Sequence, residues 1–381
     1  MRAVKWGLWA WLLFVCTLPV WAAEKATLST YFPPPEDKGG WRSLLPETGE
    51  PTAEQKVKIR TVAGINWDKL AEAWQHNTTA NGATGFVVIR RGQVAGEWYR
   101  GGDRAKVFNI YSSSKAYIST AYGLILDDFG NGPLPGGKKL TLDTKVCNPE
   151  WIPESLPLPD ERKAEITVRH LLNMTSGTGS EPVPEKLPFE TSLGHTPGSP
   201  FAKLKGDPGT VFNYSNAGVS HLTLLFQHAQ GSDLFPFMKE RLFDPVGMQS
   251  IEWNKIGGDG GLGPYNQGYS GVHTNPREHA RFCYLALHKG DWAGKRVVPA
   301  AYYDFAWTPC KVKNDYGAQW WTFPSLPNGP ADLVITRGKD FNHGFVVPSL
   351  DLVFVRLGDG TQFPKDFERD LVIKVLAAVE K

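Results

Sequence analysis

Strand-forming sequence lies toward the two ends of this 381-residue chain, with a helical, loop-rich middle between them. Near the start, Gly85–Tyr99 holds two β-rich runs around Arg91-Gly92, a hairpin signal. Near the end come Asp332–Thr336, Phe345–Val347 and Asp351–Arg356, followed by an amphipathic helix from about Lys365 to Val379. Between them, Lys115–Leu126, Val168–Met174 and Asn216–Gln227 carry helical apolar spacing. Such an order predicts an α+β fold: one antiparallel sheet built from both chain ends, flanked by helices, with a helical lobe inserted at about 116–210. Chemistry is expected in the cleft between sheet and lobe.

The flanks read differently. Residues 1–22 have the basic start, the apolar run from Trp6 to Val20 and the small residues of an export signal. That run falls short of the roughly 20 apolar residues that span a bilayer. Export to the periplasm or beyond is therefore expected, with no stable membrane span once the signal is cleaved. Residues 23–65 are rich in Pro, Gly and charge and read as an extended arm with little secondary structure. A helix is expected from Asn66 to about His76, which opens a domain running over 66–381. The long stretch Ser176–Gly209 suits the wall of a substrate cleft.

Charge narrows the partners. Lys plus Arg number 41 and Asp plus Glu 39, for a net charge of +2, with no basic stripe, so nothing points to nucleic acid. Beyond the signal, Cys147, Cys283 and Cys310 are neither a metal site nor a full disulfide framework; one bridge is possible and the sequence does not choose the pair. No His-Glu-x-x-His or carboxylate–histidine cluster is present, so neither metal nor cofactor is expected. His221 and His228 are read as packing or capping residues. Gly258–Gly263 fits Gly-x-Gly-x-x-Gly, yet Pro264-Tyr-Asn-Gln follows where a nucleotide-binding helix should start, so it reads as a loop. A Gly-x-Ser-x-Gly elbow is absent.

Three short motifs remain. Ser112-Ser-Ser-Lys115 opens the first middle helix, and residues three apart share a helix face, so the Lys115 amine can reach the Ser112 hydroxyl. A serine needs a base, and a lysine serves as one only if its pKa is lowered. At the helix start the Ser112 N–H is also free to hold an oxyanion. Tyr214-Ser-Asn216 stands just before another helix; Tyr214 can relay a proton or activate water, and Asn216 can bond Lys115 or substrate. Thr336-Arg337-Gly338 closes a late strand. There Gly338 permits close backbone approach, Thr336 or Arg337 can orient a substrate, and the Lys339 N–H can be a second oxyanion donor.

In this order the motifs resemble the serine β-lactamase and penicillin-binding-protein superfamily, in its class C-like and esterase branch. Ile166–Gly177, Pro208–Asn216, Pro276–Phe282 and Tyr316–Trp321 are similar to segments of that branch, so the likeness runs from about Trp67 to the C-terminus. The resemblance implies Ser112 as acylated nucleophile, Lys115 as base, Tyr214 as proton-transfer partner, and the N–H groups of Ser112 and Lys339 as oxyanion hole. Two departures stand out: Thr-Arg-Gly replaces Lys-Thr-Gly, and no Glu-x-x-Leu-Asn occurs. Both favour an ester or short-amide substrate, as in the 6-aminohexanoate-dimer hydrolases of this branch. A β-lactamase or D-alanyl carboxypeptidase is the alternative, and an inert penicillin-binding-like receptor is the reading of another class.

Overall fold

The computed structural model describes residues 27–182, 190–194, 198–256, 264–322 and 329–380. The export signal, Cys16, Gly258–Gly263 and parts of the 176–209 stretch lie outside the described residues. Helices named below are α1 (Ala53–Ala63), α2 (Trp67–Asn77), α3 (Ser114–Gly123), α4 (Val168–Leu172), α5 (Asn216–Gln230), α6 (Pro276–Leu287) and α7 (Phe367–Ala378). Strands are β1 (Thr84–Arg90), β2 (Gln93–Arg100), β3 (Phe108–Asn109), β4 (Ile251–Trp253), β5 (Val272–Thr274), β6 (Trp321–Thr322), β7 (Val334–Arg337), β8 (His343–Val347) and β9 (Leu352–Gly358).

The main sheet has six antiparallel strands in the order β6-β7-β8-β9-β1-β2. Its two halves come from the two chain ends and meet where β1 pairs with β9, Val87 opposite Val355. Alternation along the strands divides the apolar side chains between two cores. Val87, Ile89, Val353 and Val355 face α3, α6 and the lobe, whereas Phe86, Val88, Leu352 and Phe354 face α1, α2 and α7. A smaller sheet, β3-β5-β4, lies beside the start of α3, where the Ile110 N–H donates to the Val272 carbonyl at 3.0 Å.

The arm differs in one respect from the sequence expectation. The arm is not extended throughout, because α1 occupies 53–63. Thr52 and Gln55 form a reciprocal capping box, and Gly64 ends the helix in the left-handed region at φ 62°. The polar α1 sequence lacks a strong apolar stripe; only Ile59 and Ala63 are buried. Beyond residue 210, α5 packs against α3 and α4. Cys147, Cys283 and Cys310 are separate thiols. His221 packs in the interior with Nδ1 2.8 Å from the Ala217 carbonyl, and His228 pairs with Glu154 at 2.8 Å. Among the described residues no helix is long and apolar enough to cross a membrane.

Candidate active site

Helix α3 runs through the interior, and every one of its residues is buried. It is preceded by a short 3₁₀ turn, Tyr111–Ser113, in which Tyr111 adopts φ 48°. A left-handed tyrosine is strained, and it aims the next residue out of the helix line. Ser112 is accordingly part-exposed, while Lys115, one turn on, is 1% exposed.

Three oxygens surround the Lys115 amine. Nζ lies 2.9 Å from Ser112 Oγ and donates to Asn216 Oδ1 at 2.8 Å and to the Tyr269 carbonyl at 2.9 Å. Both carbonyl-type oxygens can only accept. A neutral amine has two N–H groups to meet them, which leaves its lone pair for the Ser112 hydroxyl. Burial without a paired carboxylate among the described residues drives the Lys115 pKa well below 10.5, toward that neutral form. Tyr214 moves the opposite way. Burial pushes its phenol up to about 12, against hydrogen bonding from Ser112 and the field of Arg337. The ring itself lies 4.8 Å from Lys115 Nζ. One group is thus poised to take a proton and its neighbour to keep and deliver one.

The flanking serines hold the frame. Ser113 Oγ donates to the Asn342 carbonyl at 2.6 Å, and Ser114 Oγ accepts the Val272 N–H at 3.1 Å. Asn342 Nδ2 in turn donates to the Lys339 carbonyl at 2.9 Å. The turn after β7 is thereby fastened to the start of α3. Gly338 makes this possible, since a Cβ there would lie 2.1 Å from the Ile110 carbonyl oxygen. The N–H groups of Ser112 and Lys339 have no acceptor among the described residues and lie on the two sides of this seam.

A sequence model of the family described as Beta-lactamase matches residues 68–377. The chain belongs to the beta-lactamase family. No curated protein sequence matches it. Among solved structures, a candidate β-lactamase from Bacteroides dorei superposes with TM-score 0.67 at 16% identity, over 83% of this chain and 99% of that one. EstCE1, a hydrolase with promiscuous acyltransferase activity, gives TM-score 0.63 at 16% identity over 84% and 99%. A candidate 6-aminohexanoate-dimer hydrolase from Bacillus anthracis gives 0.60 at 17% identity over 78% of each chain. At such identities the likeness speaks to fold, and the reaction has to be argued from the site.

The third motif of this beta-lactamase-family chain departs from the sequence expectation. Strand alternation turns the Thr336 side chain into the body. Its hydroxyl lies 2.9 Å from His279 Nε2 and accepts the Gly344 N–H at 3.0 Å, so it is not open to substrate. Tyr117 extends the chain, with its hydroxyl 2.9 Å from His279 Nδ1. Burial holds His279 down to about 3, so the link stays uncharged. Arg337 faces the other way and forms two hydrogen bonds with Glu368, at 2.8 and 2.9 Å. Sequence reasoning brought together Ser112, Lys115, Tyr214 and Asn216. It missed the Tyr269 carbonyl, because any residue supplies one, and Glu368, which belongs to no motif.

Proposed function

We propose that the protein is an exported serine hydrolase that cleaves small esters, or short amides and peptides, through an acyl-enzyme on Ser112. The observation that supports this most is the buried Lys115, whose two N–H groups are occupied by Asn216 and Tyr269 while its lone pair faces Ser112. In the first step Lys115 takes the Ser112 proton as Oγ bonds to the substrate carbonyl carbon, and the N–H groups of Ser112 and Lys339 receive the oxyanion. Tyr214, protonated at neutral pH, passes its proton to the leaving oxygen or nitrogen as the scissile bond breaks, and is reprotonated from Lys115. Water then attacks the acyl-enzyme, and its proton passes through the Lys115–Tyr214 pair to Ser112 Oγ as the acyl–oxygen bond breaks and the acid leaves. The leader-like residues 1–22 support export.

An inert receptor would have no use for a lysine buried at cost, without a counter-ion, against a half-open serine. Treatment with a fluorophosphonate followed by intact-mass analysis separates the readings. One adduct is expected on the wild type and none on Ser112→Ala, which should also lose turnover of p-nitrophenyl esters by at least about 1000-fold. Wild-type-like hydrolysis by the variant would sink the proposal.

A further inference from the structure

Arg337, a cation whose field reaches Tyr214, is paired before any substrate arrives. Arg337 Cζ lies 5.1 Å from the Trp321 ring, whose centroid is 5.8 Å from that of Tyr214, and its charge is felt at the Tyr214 hydroxyl. A substituent on the leaving group that Tyr214 protonates would therefore lie within the field of this guanidinium. Glu368, in the first turn of α7, takes both edges of it in a bidentate pair. Arg337 and His343 are opposite one another in the β7–β8 register, and His343 Nδ1 lies 3.3 Å from the same carboxylate. The pair is mostly buried, 23% and 18% exposed, so water screens it weakly. Glu368 stays ionised, since burial is outweighed by hydrogen bonding and by the charge of Arg337, which hold its carboxyl below the usual range. Burial keeps His343 on the neutral side. Lys339 is the other cation at the rim, but it is exposed and its Nζ lies 5.8 Å over the Tyr111 ring, so solvent screens it.

We infer that Glu368 is a specificity-determining residue, which neutralises Arg337 so that the cleft selects leaving groups carrying no carboxylate. The inference rests on the hydrolase reading above. It names the substrate class as neutral esters and amides, and it makes anion recognition a latent property blocked by one side chain.

The test is a matched pair of acetate esters, 3-acetoxybenzoate and 3-acetoxybenzamide, which differ only in a carboxylate on the leaving group. Assays are run at about pH 8, where His343 is neutral because its pKa is lowered, so its charge does not enter the comparison. The quantity read is the ratio of kcat/KM for the anionic ester to that for the neutral one. Glu368→Gln should raise it by at least about tenfold, because the guanidinium charge is no longer balanced by an anion. Adding Arg337→Gln should remove that rise. Arg337→Gln alone strips the Glu368 carboxylate of its counter-charge and should lower the ratio, which keeps the test decisive if Glu368→Gln folds poorly. A ratio unmoved by Glu368→Gln in an active enzyme, or one that does not fall in Arg337→Gln alone, overturns the inference. Absence of turnover and of fluorophosphonate labelling in the wild type would instead bring down the hydrolase reading, and this inference with it.

Discussion

Asn216 and Lys115 offer the sharpest control over the chemistry. The amide oxygen of Asn216 is 2.8 Å from Nζ and carries no charge, so it orients the amine without holding a proton on it. Asn216→Asp would place an anion at the same point, and an opposite charge favours the protonated lysine. The Lys115 pKa must then rise, and the free amine becomes scarcer at neutral pH. The acid limb of kcat/KM, expected in the wild type to follow the lowered Lys115 pKa, should move upward by at least about one pH unit. Activity at about pH 7 should fall tenfold or more and recover in part at higher pH. A limb that stays in place in Asn216→Asp would mean that Lys115 is not the titrating base. The pair was legible in the sequence because Ser-x-x-Lys and Tyr-x-Asn are fixed by side-chain chemistry at fixed offsets. Tyr269 was not, since its contribution is a backbone carbonyl, and Glu368 was not, since it acts 31 residues away from Arg337 through a helix docking on a sheet.

Elements place these residues by touching at very few points, and the seam between β7 and the start of α3 is one of them. Gly338 has φ −116°, which any residue adopts, so its requirement there is purely steric. A methyl group would meet the Ile110 carbonyl at 2.1 Å and that of Asn342 at 2.8 Å, both backbone atoms that cannot swing aside. Gly338→Ala should push the Lys339 amide away from Ser112 and lower kcat/KM by about 100-fold, the scale expected of an ångström-sized misplacement. Circular dichroism should be unchanged. Near-normal activity would show that the Lys339 amide does not serve the oxyanion. At this scale the hairpin, the late strands and α2 follow from periodicity and turn residues. The helix α1 was signalled by Thr52-Ala-Glu-Gln55 but hidden by its polar face, and two- and three-residue strands such as β3 and β5 are too short to carry any period.

The whole molecule is closed by arginines that bind chain ends rather than acids alone. Arg90, at the end of β1, donates to the carbonyls of Ala63, Leu350 and Glu380, and also to that of Gly64, joining α1 to the last residues of the chain. Arg281, on α6 and wholly buried, does the same for the arm. It donates to the carbonyls of Pro33 at 2.7 Å, Pro34 at 2.9 Å and Val246 at 3.2 Å, and to the Glu36 carboxylate at 3.2 Å. Sequence composition suggested an extended arm with little secondary structure, and its Pro-rich backbone supplies acceptors that a buried guanidinium gathers in one place. Arg281→Met keeps much of the apolar stem and removes the donors, stranding those oxygens in the interior. The cost should be about 2–4 kcal/mol, seen as a fall of several degrees in Tm. Trypsin or thermolysin should cut first between Ser29 and Gly40, because that segment loses its anchor while the sheet and α3 keep theirs. Fluorophosphonate labelling of Ser112 well below the Tm should persist, since no contact of Arg281 reaches the site. A variant with unchanged Tm and an uncut arm would show that Tyr284, whose hydroxyl donates to the Tyr31 carbonyl at 2.9 Å, and the Arg277–Glu36 pair at 2.9 Å hold the arm without Arg281.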